Sequence, residues 1–126
     1  MLTPTPFQIP PLEKRKRIPM RTIRALTDFI VRNFQPEQVI LFGSHAYGKP
    51  TGTSDVDLLL IMDVKNSELD SALEISNSLP KHSFRVDIIV RTRVELEKRK
   101  KLGDWFLIDI TEKGKVLYER TDQGMG

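Results

Sequence analysis

Apolar residues recur at Ile23, Leu26, Ile30 and Phe34, with Phe29 beside them, at the three-to-four-residue spacing that lays one stripe along a helix. The spacing predicts a helix over 20–34, ended by Pro36 and the turn around Gln35–Glu37. Gln38–Phe42 is a short apolar run of strand length, closed by Gly43. The polar stretch Ser44–Ser54, rich in Gly, Ser and Thr, reads as a long loop. Asp55–Met62 is a second strand whose later half is apolar at every position, as suits a strand covered on both faces. Asn66-Ser67 followed by Asp70 marks a helix start, with Leu69, Ala72, Leu73 and Ser76–Leu79 offering a buried face up to Pro80. Arg85–Val90 is a third strand. Two short helices, 94–102 and 105–113, are separated by Gly103-Asp104, and a last short strand covers 115–118.

Proline changes the picture at the start of the chain. Residues 1–19 hold five of the eight prolines, and they read as a basic, proline-rich arm preceding a domain over 20–120 and a polar tail over 121–126. A strand–helix–strand unit is normally a right-handed parallel crossover, so the second and third strands are expected to be parallel. The fold class is therefore α/β (α+β): a short mixed sheet with helices packed mainly on one face.

Composition narrows the function classes. Without cysteine there are no disulfides, no thiolate chemistry and no thiolate zinc site, and a reducing cytoplasm is the natural setting. The first residues lack the order and apolar length of a secretion signal, and no apolar run approaches the ~18 residues that span a bilayer. The formal charge of +3 gathers in Lys14–Arg17 and Lys98–Lys101; a polyanionic partner is compatible, direct nucleic-acid binding is not required, and both runs read first as solvated faces. His45 and His82 have no ligand spacing and read as loop residues. Trp105, with Phe106 and Ile108, reads as packing between the C-terminal helices.

Three carboxylates carry the chemistry. Side chains alternate along a strand, so Asp55 and Asp57 point to one face at the beginning of the second strand. Asp87 has the equivalent place in the third, and parallel strands would bring all three to one sheet edge. An antiparallel first strand would deliver Gly43-Ser44 to that same edge. Like charges ~4 Å apart cost on the order of 4 kcal/mol per pair at an effective dielectric of ~20. Raised carboxyl pKa values or a cation must relieve that repulsion. Oxygen-only ligands suit Mg²⁺ or Mn²⁺, and two such ions can activate an attacking oxygen and steady a leaving group. Gly43 permits close backbone approach to a phosphate, and Ser44 offers it an N–H and a hydroxyl. Lys49 and Arg85 lie near in sequence, with no fixed direction.

Gly43-Ser44, ten intervening residues, Asp55-Val56-Asp57 and then Asp87 together resemble the DNA polymerase β-like nucleotidyltransferase superfamily, in particular its minimal nucleotidyltransferases. The resemblance runs from Ile23 to Tyr118, including Arg99–Gly103 and Gly114–Tyr118. It implies that Gly43 and Ser44 bind a nucleoside triphosphate, that Asp55 and Asp57 ligate metal, and that Asp87 ligates metal and helps activate an acceptor hydroxyl. It implies transfer of a nucleoside monophosphate, AMP from ATP, with release of pyrophosphate. Many minimal members are antitoxins that silence a helical HEPN-type RNase toxin by adenylylating a tyrosine, so such a toxin is the expected partner. The chain is too short for the extra substrate-binding domain of larger relatives, which favours a partner that completes the site. His45 and Tyr47 stand where relatives often carry Arg. The alternatives are a small-molecule, antibiotic-type nucleotidyltransferase and an antitoxin that neutralises its partner by contact alone.

Overall fold

The computed structural model describes residues 18–48, 50 and 55–121. Its elements are α1 (Met20–Phe34), β1 (Gln38–Phe42), α2 (Ser44–Tyr47), β2 (Val56–Ile61), α3 (Glu68–Ser78), β3 (Val86–Arg91), α4 (Arg93–Lys101), α5 (Trp105–Lys113) and β4 (Lys115–Glu119). The expected helices and strands are all present. The polar stretch after β1 contains one element that its composition hid, the short helix α2.

The four strands form one mixed sheet in the order β3-β2-β1-β4. β1 runs antiparallel to both β2 and β4, with an irregularity in its β4 pairing between Val39 and Ile40. β2 and β3 are parallel, as the crossover through α3 predicts. The two strand starts and the end of β1 therefore share one rim of the sheet.

Alternation splits the core in two. Val39, Leu41, Val56, Leu58, Leu60 and Val90 meet Ile23, Leu26 and Ile30 of α1 and Ala72 and Ile75 of α3. Ile40, Phe42, Leu59 and Ile61 meet Leu96 of α4 and Leu107 and Ile110 of α5. The two longest helices thus form the main layer, and the short α4–α5 pair covers the other face. The side chains of α3 are rotated relative to the sequence reading: Ala72 and Ile75 are buried, whereas Leu69 and Leu73 face solvent. One helical stripe can meet the sheet, and the stripe through Ala72 and Ile75 excludes those two leucines.

Helix ends are closed by side chains and backbone. Ser67, Thr92 and Asp104 accept the N–H groups of Asp70, Glu95 and Leu107 at the starts of α3, α4 and α5. Gln35 closes α1 in the left-handed region with φ 52°, its N–H donating to the Val31 carbonyl. The rim away from the strand starts is tied by an ion pair and two hydrogen bonds to backbone: Arg93 Nε donates to the Glu37 carboxylate at 2.7 Å, the Arg120 backbone N–H to the Glu37 carbonyl at 2.8 Å, and the Arg120 guanidinium to the Gln35 carbonyl.

Ile18, within the span expected to be an arm, is fully buried in the larger core, while 1–17 lie outside the described residues, as do 122–126 of the tail. Gly114, between α5 and β4, has no room for a side chain. A Cβ there would stand 2.5 Å from the Ile110 carbonyl oxygen and 2.6 Å from Ile40 Cγ2. Gly114→Ala should cost about 2 kcal/mol as an overpacking change, lowering the melting temperature by roughly 10 °C. An unchanged thermal melt would contradict this close packing of α5 on β1.

Candidate active site

Asp57 and Asp87 are partners in the parallel β2–β3 register, and Asp55 precedes Asp57 by two residues on the same face. One oxygen from each carboxylate lies within 4.8 Å of the others, in a half-buried cluster at the rim where both strands begin. The cluster faces the α4–α5 side, the side of Leu59 and Ile89. Every sequence-derived carboxylate of the site is therefore in the cluster, brought there by period-two alternation and a parallel crossover.

The electrostatics follow from that crowding. Partial burial, a side-chain hydrogen bond with Asp87 and repulsion from Asp87 and Asp55 together push the Asp57 carboxyl up to about 6, against a smaller opposing pull from Arg85. Arg85 stands at the entrance, Nε 3.7 Å from Asp55 and 3.5 Å from Asp87, on a largely exposed side chain. Its direction was open in the sequence. It supplies one positive charge against three carboxylates, and a divalent cation fits the remainder of this all-oxygen donor set.

Gly43 ends β1 at the same rim, in a conformation with φ 77° and ψ −159°. A Cβ on it would overlap Asp57 Oδ2, so backbone and carboxylate are in close approach. Ser44 opens α2 directly after, and its hydroxyl has no hydrogen bond among the described residues. His45 is not the loop residue its sequence context suggests: it is buried on α2. Its Nε2 accepts from Ile18 N–H at 3.1 Å, so Nδ1 carries the proton and donates to the Asp55 carbonyl at 3.0 Å. A neutral imidazole thus fixes the backbone of a site carboxylate. Tyr47 is exposed on the same helix, and Lys49 lies outside the described residues.

Comparison with known proteins decides the family. Residues 23–118 match the model of the nucleotidyltransferase domain family. The chain belongs to that family. This nucleotidyltransferase domain, within the DNA polymerase β-like superfamily, is 32% identical over 84 residues to a candidate protein adenylyltransferase of Methanocaldococcus jannaschii, covering 65% of this chain and 78% of that one. It also shares its fold with the crystal structure of a candidate nucleotidyltransferase from Sulfolobus solfataricus, with TM-score 0.53, 21% identity and 78% of each chain covered. No helix among the described residues is long and apolar enough to cross a membrane.

Binding of a divalent cation to this cluster should depend on pH through Asp57. A carboxylate that meets a cation must lose its proton, and this one holds it up to about 6. Magnesium affinity should therefore fall about tenfold per pH unit below ~6 and level off above ~7. Calorimetric titration with MgCl₂ checks this; an affinity that stays flat from acid to neutral pH contradicts it.

Proposed function

We propose that this nucleotidyltransferase domain moves AMP from ATP to a hydroxyl of a partner protein, with Mg²⁺ or Mn²⁺ held by Asp55, Asp57 and Asp87. The observation that carries the reading is the convergence of those three carboxylates on one half-buried rim. The M. jannaschii relative, itself a candidate protein adenylyltransferase, supports a protein acceptor. Resemblance to the minimal nucleotidyltransferases supports a tyrosine of a HEPN-type toxin as that acceptor, with this chain as the cytoplasmic antitoxin.

Each residue has a distinct part. Gly43 and Ser44 receive the triphosphate: the glycine lets oxygens approach the backbone, and the serine contributes N–H and hydroxyl donors. Asp55 and Asp57 are metal ligands. Asp87 ligates metal and takes the proton of the acceptor hydroxyl as its oxygen bonds to the α-phosphorus. The bond from that phosphorus to the bridging oxygen breaks, and pyrophosphate leaves with it. A bound divalent ion supplies Lewis acidity and neutralises the charge gathering on the phosphate. Arg85 is aimed at two of the same carboxylates, Asp55 and Asp87, and offsets one of the three negative charges.

The test is incubation of the domain with labelled ATP, Mg²⁺ and its co-expressed partner, followed by mass spectrometry. The expected product is one AMP on a partner tyrosine, absent with Asp57→Asn. Absence of nucleotide binding sinks the reading. Labelling of a small hydroxyl compound without any partner points to the antibiotic-type reaction instead. Full neutralisation of the toxin by Asp57→Asn makes contact, not chemistry, the mode of action.

A further inference from the structure

The α4–α5 hairpin exposes a run of large apolar side chains. Val94 is 78% exposed, Leu102 77%, Trp105 79% and Phe106 53%. On α4, Arg93, Val94, Glu97, Lys98, Lys101 and Leu102 line an open depression of about 600 Å³. Large exposed apolar side chains bordering an open depression are characteristic of interaction sites.

The charge within it is selective. Arg93 is occupied by Glu37 and Glu97, and Arg99 by Glu95 and Asp104. Lys98 and Lys101 have no ion pair among the described residues. The depression thus combines an apolar floor with uncompensated lysine ammonium groups.

The hairpin also reaches the catalytic rim. The Phe106 ring meets Phe42 edge-on, with centroids 5.7 Å apart, and Phe42 is the register partner of Asp57 across β1 and β2. Whatever binds over Phe106 lies one ring beyond the side chain opposite Asp57.

We infer that the α4–α5 hairpin docks the protein acceptor, and that the docked element is an acidic amphipathic helix. Its apolar stripe covers Val94, Leu102 and Trp105, and its carboxylates meet Lys98 and Lys101. This rests on the reading of the domain as a protein-modifying enzyme. The surface suits RNA poorly: its floor is apolar, and the guanidiniums best shaped for phosphate are already paired within the fold. α3 of a second copy, which exposes Leu69 and Leu73 beside the exposed Asp70 and Glu74, is the competing occupant, and self-association is the outcome that would reveal it.

Trp105 is the only tryptophan, so selectively excited tryptophan fluorescence reports on this surface alone. The probes are a designed Leu/Glu amphipathic helical peptide ending in tyrosine, its Leu/Lys counterpart, and a single-stranded RNA oligonucleotide. The expected result is a saturable blue shift with the Leu/Glu peptide only. Lys98→Glu with Lys101→Glu should weaken that binding at least about tenfold and transfer the preference to the Leu/Lys peptide. The tyrosine should be labelled from ATP correspondingly more slowly by the variant, while calorimetry shows ATP–Mg²⁺ binding retained. No shift with the Leu/Glu peptide, a shift with RNA instead, or self-association in sedimentation velocity that the double substitution abolishes would each overturn the inference. Peptide binding without labelling by the wild-type domain would count against the proposed reaction and leave the docking surface standing.

Discussion

Replacing Asp57 with Asn should lower nucleotidyl transfer on the order of 1,000-fold and, in the absence of metal, raise the melting temperature. Asp57 is the register partner of Asp87 and hydrogen-bonded to it, lies two residues from Asp55 on the same face, and retains its own proton up to about 6. Asn keeps the shape and the hydrogen bonding but gives up the charge a cation needs. The stability gain follows from the sign of the shift. A carboxyl raised from 3.8 to about 6 makes the folded state bind a proton more readily than the unfolded chain. Stability therefore declines as pH rises through that window, and at neutral pH the wild-type domain carries the repulsion. Asn never ionises, so the variant should be more stable above pH ~6 and equal to wild type below pH ~4. Because Asp57 is only half-buried, solvent screening holds the gain to about 1 kcal/mol, a rise of a few degrees. Thermal melts at both pH values, with and without Mg²⁺, measure it. Wild type should gain stability from the ion and the variant should not. Activity within tenfold of wild type would remove Asp57 from the site, and a lower melting temperature would refute the repulsion.

Gly43→Ala should damage stability and metal binding together. The residue occupies φ 77°, ψ −159°, a region where a side chain is strained by about 2 kcal/mol. Its Cβ would also displace the Asp57 carboxylate. A double-mutant cycle separates the two effects. In an Asp57→Ala background the overlap disappears and only backbone strain remains, so Gly43→Ala should cost less there than in wild type. Equal costs in both backgrounds would mean that the glycine serves conformation alone, and unchanged Mg²⁺ affinity in the single variant would mean that it does not position Asp57.

The sheet and the triad were legible because they rest on rules that act at short range. Alternation fixed the shared face of Asp55 and Asp57, and the crossover through α3 fixed the direction of β3, which together bring Asp87 alongside. The stripe Ile23-Leu26-Ile30 named α1 to its ends. What escaped depends on distant partners. α2 is four residues of polar sequence, and His45 within it is held between Ile18 and Asp55, 27 and 10 positions away. Leu69 and Leu73 attracted weight as leucines, but the sheet meets the stripe of Ala72 and Ile75. Trp105 and Phe106, read as packing residues, are largely exposed, since Leu107 and Ile110 take the buried face of α5. Arg85 has no local rule to aim it, and its bridge to Asp55 and Asp87 exists only once β2 and β3 are side by side.

The hydrogen bond from Ile18 to His45 and the ties of Arg120 to Gln35 and Glu37 lie at opposite margins of the sheet. The polypeptide comes into the body beside the carboxylates and departs from it at the remote margin. A fluorophore attached at Thr121 consequently reports from the margin remote from the carboxylates.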